Sequence, residues 1–384
     1  MKNLRKIMRN NERGVTAVIV GVMIVFLLGM VALAVDIGYA LLTRNELQNV
    51  ADAAALAGGS ALGEVYQGRT AEHQGDQFED ADVQMIRNRV IDAAKRNQAG
   101  GKNIDIRNAD ITIGIWDQAT STVTVPDPLV LPNAVKVIGR RDTLLNDPIP
   151  TVFAAVFGVD IVGVSAKATA ALSGASEILP TEGSEGEPPL KILPVGIPKY
   201  YFDLTPEETY CGDIIVFHPT NNPDSCAGWN SYTEEHPSDN KVRNIIKGLT
   251  DGTIPFPGVE VNKTQFGFIG GDLSKPTFEA MYNLWNQEKN QDGDGHDEYW
   301  TVGVVVYDDE GLQCKNPNKM RTIVGIATVK ITNIELPPDG KVIEGQILCD
   351  YFIQPKIPGS EGGSGVVACG EYFGTYGSVP CLVD

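Results

Sequence analysis

The richest run of hard oxygen donors in the chain is Asn290-Gln291-Asp292-Gly293-Asp294-Gly295-His296-Asp297-Glu298. Asx residues fall at the first, third and fifth places and a glycine at the sixth, which is how a calcium loop begins. Several carboxyl and amide oxygens on one tight turn suit Ca²⁺, and Gly295 permits the bend. His296 would lend its backbone carbonyl, and Asp297 or Glu298 would close the shell. A full EF-hand is not expected, because the twelfth place is Thr301 rather than Glu. The following YWTVGVVVY also reads as a strand, not a helix. Two readings stay open for Asn290, Asp292, Asp294, His296 and Glu298: a structural calcium turn, or a plain acidic turn between a helix and a strand.

The second set of reactive groups is six cysteines, Cys211, Cys226, Cys314, Cys349, Cys369 and Cys381, all beyond residue 210. An even number confined to one half of a chain, on the oxidising side of a membrane, reads as disulfides. Six cysteines allow 15 pairings, so connectivity stays open. Cys369 and Cys381 could close on each other, or tie the tail to Cys349. Zinc held by Cys211, His218, Cys226 and His236 fits poorly, because the intervals match no compact zinc spacing. The histidines are His73, His218, His236 and His296, and none sits in a recognisable catalytic string. There is no G-x-S-x-G, P-loop or H-E-x-x-H. An oxidised Cys226 would be inert as a nucleophile. No enzyme is expected.

The element that must position all of this is at the start. Residues 15–35, VTAVIVGVMIVFLLGMVALAV, carry no charge at all, in a chain 21% charged overall. At ~1.5 Å per residue the run spans a ~30 Å hydrocarbon core. Lys2, Arg5, Lys6, Arg9 and Arg13 precede it against a single Glu12, so the flank should stay in the cytoplasm. A cleaved signal fits less well, since the run is long and has no small-x-small boundary before Asp36. The segment from Met1 to Gly14 carries +4 of a net −18, which leaves −22 on the rest. Such a surface repels nucleic acid, and no basic patch with interleaved aromatics accompanies it.

Beyond Asp36 the helix should continue to about residue 62. Leu41, Leu42, Leu47, Val50, Ala54 and Leu56 recur at helical spacing, and Gly58-Gly59 is the expected stop. The small face from Ala51 to Gly59 could pack inside its own domain or against a partner helix. On the partner reading, Ala54→Leu would disturb association. Residues 63–79 read as a loop, and 80–97 as a second helix with Val83, Ile86, Val90 and Ala94 on one face. The period then changes to two. Strands are expected at 111–115, 123–125 and 135–138, a short helix at Ile149 to Phe157, and a strand near Ile161 to Leu172. After a polar stretch from 173, strands are expected at 192–197, 213–217, 301–307, 322–331 and 342–353. Helices are expected at 240–248 and 276–289.

The run ERGVTAVIVGVMIVFLLGMVALAVDIGYALLTRNELQNVADAAALAGGSAL (12–62) resembles the N-terminal module of TadG-like proteins of the tight-adherence (Flp) pilus system. The segments IGIWDQATSTVTV (113–125), AVKVIGRR (134–141), Pro150 to Phe157, and VGVSAKATAAL (162–172) are also similar to that family. The resemblance covers about residues 12–172. It implies a single-pass inner-membrane protein linked to pilus assembly or surface adhesion. Pseudopilins of this system carry a Gly with Glu five places on. Gly14 has Ile19 there, so processing after Gly14 is not carried over. Some members end in a von Willebrand A domain, whose metal site needs Asp-x-Ser-x-Ser. That motif is missing from this chain, and neither the domain nor its metal is carried over.

The resulting reading is an α+β protein. A basic cytoplasmic tail (1–14) leads into a transmembrane helix (15–35) and a small TadG-like α+β domain (36–172). A Gly/Pro/Ser/Glu linker (173–190) then leads to a β-rich, disulfide-stapled extracytoplasmic domain (191–384). The expected partners are the inner membrane and pilus assembly proteins or pilus subunits. Nucleic acid is not among them. The alternative is a surface ligand recognised by the second domain.

Overall fold

The apolar run and the alanine-rich run lie on one helix, α1 (Lys2–Gln67), of 66 residues. This computed structural model describes residues 2–69, 73, 75–118, 120–178, 190–202, 210–217, 227–233, 237–269, 273–289, 298–310, 319–336, 341–353, 366–367 and 369–383. No proline interrupts α1, and the expected stop at Gly58-Gly59 does not stop it. A helical glycine costs only ~1 kcal/mol against alanine. Both glycines are buried, so packing offsets that cost. The helix α2 (Asp80–Lys95) carries Asp80 and Asp82 in its first turn and Lys95 in its last, which complements its dipole. Ile86, Val90 and Ala94 are its fully buried side chains, on the expected face.

The chain divides into two compact units. One holds Met1–Ala57, Arg87–Thr112 and Lys136–Thr169. The other holds Gly58–Ile86, Ile113–Val135 and Ala170–Asp384. Strands β1 (Ile111–Asp117), β3 (Ala134–Arg141) and β4 (Val164–Gly174) each run from one unit into the other, while β2 (Thr122–Thr124) lies within the second. In β3 burial alternates residue by residue after the first two positions, the mark of a strand with one face inward.

The short helix expected at Ile149 to Phe157 is not there. Ile149–Pro150 pairs antiparallel with Ile161–Val162, and only Ala154–Phe157 forms a 3₁₀ turn, ended by Gly158 at φ +82°. Pro150 lacks an N–H, Thr151 and Val152 are β-branched, and so short a stretch cannot repay helix nucleation.

In the second unit β5 (Ile192–Pro198), β6 (Ile214–Val216), β7 (Gly228–Trp229), β8 (Gln265–Gly267), β9 (Trp300–Tyr307), β10 (Met320–Glu335) and β11 (Val342–Leu348) form a sheet. Among the described residues it has seven strands in the order β6-β11-β10-β9-β5-β7, with β8 also beside β10. β9 lies antiparallel to β10 and parallel to β5. Every residue of β9 except Thr301 is buried, so its run of valines is the signature of a strand covered on both faces. Helices α3 (Asp239–Thr250) and α4 (Lys275–Glu288) supply Val242, Ile246, Phe278, Met281 and Leu284 to its core beside Trp229 and Trp300. Asp239 joins the two helices. It accepts the Ser274 N–H at 2.8 Å, the Ser274 hydroxyl at 2.6 Å and the Thr277 hydroxyl at 2.7 Å.

Two further strands, β12 (Tyr351–Phe352) and β13 (Thr375–Leu382), complete a second sheet of order β12-β13-β4-β3-β1-β2. β13 is absent from the sequence reading. Gly377 and Pro380 mask its pattern, and the pairing register shifts between Tyr376 and Pro380.

Candidate functional site

Along α1, the large side chains from Val18 to Val35 stand in the open, with Val25 70% and Phe26 68% exposed. A helix belonging to a water-soluble core would hide such a face. This one is long and apolar enough to cross a membrane, and none of its most apolar stretch is buried.

Asp36 follows the last residue of the apolar run. Its Oδ1 accepts the N–H of Val152 at 3.0 Å, and its Oδ2 accepts those of Phe153 at 2.8 Å and Ala154 at 2.6 Å. Three successive N–H groups converging on one carboxylate form an anion nest. The sequence reading used Asp36 only as the end of the apolar run. Its partners lie far along the chain, beyond Pro150, so no local pattern could reveal them. The seated turn lies beside residues 28–35 of α1 and leaves an apolar cavity of about 480 Å³. Leu28, Val31, Val35, Phe153, Val156 and Phe157 are among its lining residues.

The small-residue stretch behaves differently. Leu47, Val50, Ala51, Ala54 and Ala55 are at most 1% exposed. Gln48 Nε2 donates to the carbonyl of Lys167 at 2.8 Å, and a side chain at Gly139 would press on Leu47 at 3.1 Å. At Gly59 a Cβ would stand 2.6 Å from that of Pro380. Of the two readings of this face, packing within the chain is the one observed, because small side chains let the strands approach. The same unit holds a buried carboxylate, Asp110, between the Nε atoms of Arg107 at 2.8 Å and Arg140 at 2.7 Å. Burial pushes its pKa up, but the hydrogen bonds and charges of the two arginines outweigh that and hold it below the usual carboxylate value. Gly100, at φ +57°, gives the buried Arg141 guanidinium room to donate to the carbonyls of Ala99 and Gly100, each at 3.2 Å.

Two disulfides are present among the described residues. Cys211 joins Cys349 across 138 residues with Cα atoms 5.4 Å apart, and Cys369 joins Cys381 with Cα atoms 5.7 Å apart. The tail thus closes on itself. Cys226 and Cys314 lie outside the described residues, as do Asn290, Asp292, Asp294 and His296. Glu298 is described and exposed. Among the described residues no group of three or more His, Cys, Asp or Glu is arranged to hold a metal ion.

A cleft of about 690 Å³ opens in the second unit, lined by Trp116, Asn133, Ser173, Glu371, Tyr372 and Tyr376 among others. Behind it runs a ladder of rings. Tyr372 and Tyr376 have centroids 4.5 Å apart, Tyr376 and Phe352 4.8 Å, and Phe352 and Tyr66 3.5 Å, all stacked. Asn133 Nδ2 donates to the Tyr376 hydroxyl at 3.0 Å, and the Tyr372 hydroxyl donates to Asp350 at 2.8 Å. Burial, with the charge of Asp350 second, pushes the Tyr376 phenol up to about 12. The Tyr372 phenol is raised as well, chiefly by burial. Both stay neutral at pH 7, and rings of this kind can stack a flat ligand and hydrogen-bond it. The sequence reading missed this cleft, because its members come from four separate stretches of chain.

Two family models match the chain. Tad, the Flp pilus-assembly TadE/G-like family, matches residues 14–61, and Tad_C, a Tad-like Flp pilus-assembly family, matches residues 43–170. Neither a curated protein nor a solved structure matches. The first family's match begins at Gly14 and takes in the exposed apolar helix and the buried alanine stretch. The second takes in the strands that cover that stretch. Residues 14–61 of this chain are therefore similar to the TadE/G-like Tad family, and residues 43–170 to the Tad_C family, both of Flp pilus assembly.

Proposed function

We propose that the protein is a single-pass membrane component of Flp pilus assembly that works by holding and docking other components, without turnover. The observation that carries this reading is the coincidence of the Tad match with an apolar helix surface that stays exposed among the described residues. The basic residues before that surface favour a cytoplasmic N-terminus in the inner membrane, with both folded units outside it. Its partners on this reading are pilus subunits or assembly proteins. The test is imaging of surface pili in a strain lacking the protein. Loss of pili, restored by the full chain, is the expected result. Normal pili in the deletion overturn the assembly role.

The cleft at Trp116, Tyr372 and Tyr376 favours a second reading, recognition of a surface ligand by the second unit. On that reading Tyr372→Ala leaves pili intact and abolishes attachment. The calcium turn at Asn290, Asp292, Asp294, His296 and Glu298 stands as a proposal of its own, in which the ion would brace the turn before β9. Calorimetric titration of the full chain with Ca²⁺ tests it, and the absence of binding heat removes it.

A further inference from the structure

We infer that the turn 150–161 is a second membrane contact, a wedge that Asp36 holds against α1 so that Val156 and Phe157 enter the lipid at the edge of the hydrocarbon core. The inference rests on the reading of α1 as membrane-spanning. From Ile149 to Val159 the chain has no charged residue. Within that stretch Val152 is 70%, Val156 82% and Phe157 79% exposed, a bulky apolar tip with nothing of its own unit over it. The tip is continuous with the bare surface of α1, since Val156 and Phe157 line one cavity with Leu28, Val31 and Val35. Leu28 lies eight residues before Asp36, ~12 Å along the axis. Whatever lies beside Leu28 to Val35 shares their depth, and these residues are inside the apolar run. Acyl chains are therefore the occupant that fits.

The backbone is prepared for such a place. Irregular chain survives near lipid only where its polar groups have partners. Here the N–H groups of Val152, Phe153 and Ala154 go to Asp36. Those of Thr151, Val156, Gly158 and Val159 go to the carbonyls of Asp160, Phe153, Ala155 and Ala154. The Thr151 hydroxyl donates to the Val159 carbonyl. Such a wedge belongs at the headgroup–acyl boundary, at a depth of ~5–10 Å. Asp36 is its positioning residue.

The test uses the full chain in phosphatidylcholine vesicles. Four single substitutions, Val156→Cys, Phe157→Cys, Phe26→Cys and Asn108→Cys, each receive a fluorophore, and quenching is read from lipids carrying a nitroxide at a shallow or a deep acyl position. The expected result is strong shallow quenching at 156 and 157, deep quenching at 26, and none at 108. Adding Asp36→Ala should lower quenching at 156 and 157 and leave 26 unchanged. Quenching at 26 with none at 156 or 157 overturns the wedge and leaves the anchor intact. No quenching at 26 overturns the anchor reading itself. Quenching at 156 and 157 that survives Asp36→Ala overturns the role given to Asp36.

Discussion

Two apolar surfaces of α1 meet opposite fates. Val18 to Val35 is built of large side chains and stands exposed, while between Leu47 and Ala55 the face of Leu47, Val50, Ala51, Ala54 and Ala55, built mainly of small ones, is buried. Helix propensity does not separate them, because both are helical. Side-chain size does. Alanines and glycines let sheet strands reach the helix backbone, whereas the bulky stretch stays exposed among the described residues. Apolarity says that a surface leaves water; the neighbours within reach say where it goes.

The contrast can be broken most strongly from the exposed side. Val22→Lys, Phe26→Lys and Met30→Lys together should remove the protein from carbonate-washed membranes, at roughly 3 kcal/mol per site. The melting of the folded units should stay unchanged, and retention in the membrane would refute the anchor. On the buried side, Leu47→Ala should cost about 2–5 kcal/mol of unfolding free energy and leave insertion intact. Denaturant melts in detergent would show it. Ala54→Leu overfills a fully buried place and should cost about 1–3 kcal/mol. This replaces the expectation that it would disturb a partner, since the face it alters is already occupied by the chain itself.

A smaller effect comes from Asp110. Its folded pKa is depressed, so the stability it contributes is present above the ordinary carboxylate value and is lost as pH falls through the lowered one. Asp110→Asn should cost about 1.5 kcal/mol at neutral pH, a figure reduced for the partial exposure of Arg107 and Arg140, and should flatten the acid limb of a circular-dichroism titration. An unchanged acid limb would mean that other carboxylates govern acid unfolding. Smallest of all, Ala34→Leu in the exposed stretch should shift stability by less than about 0.5 kcal/mol. A large loss there would show that something covers this stretch after all.

Much of the fold is legible in the residues. The valine run of β9, the i, i+3, i+4 pattern of α3 and the alternation in β3 each report burial through local spacing alone. The resemblance at residues 12–172 likewise sits in contiguous strings, and the family matches at 14–170 coincide with it. Elements whose pattern depends on a distant partner were not legible. β13 reads as a Gly-rich tail until β4 pairs with it, and the 149–157 segment reads as a helix until Ile161–Val162 draws Ile149–Pro150 into a strand. The aromatic ladder of Tyr66, Phe352, Tyr376 and Tyr372 joins a ring on the first helix to rings near the end of the chain.

By itself, the sequence determined the apolar helix, its basic flank, the similarity of 14–170 to the Tad pilus-assembly families, the α+β class and the confinement of cysteines to the second half. Each of these follows from composition, from contiguous strings or from short-range periodicity, which the chain carries in any conformation. Only the tertiary structure decided that the alanine face is filled from within, that Asp36 gathers three N–H groups from a turn beyond residue 150, and that Cys369 closes on Cys381. Those outcomes depend on which distant backbone groups reach within ~3 Å of a side chain, a distance that folding alone sets.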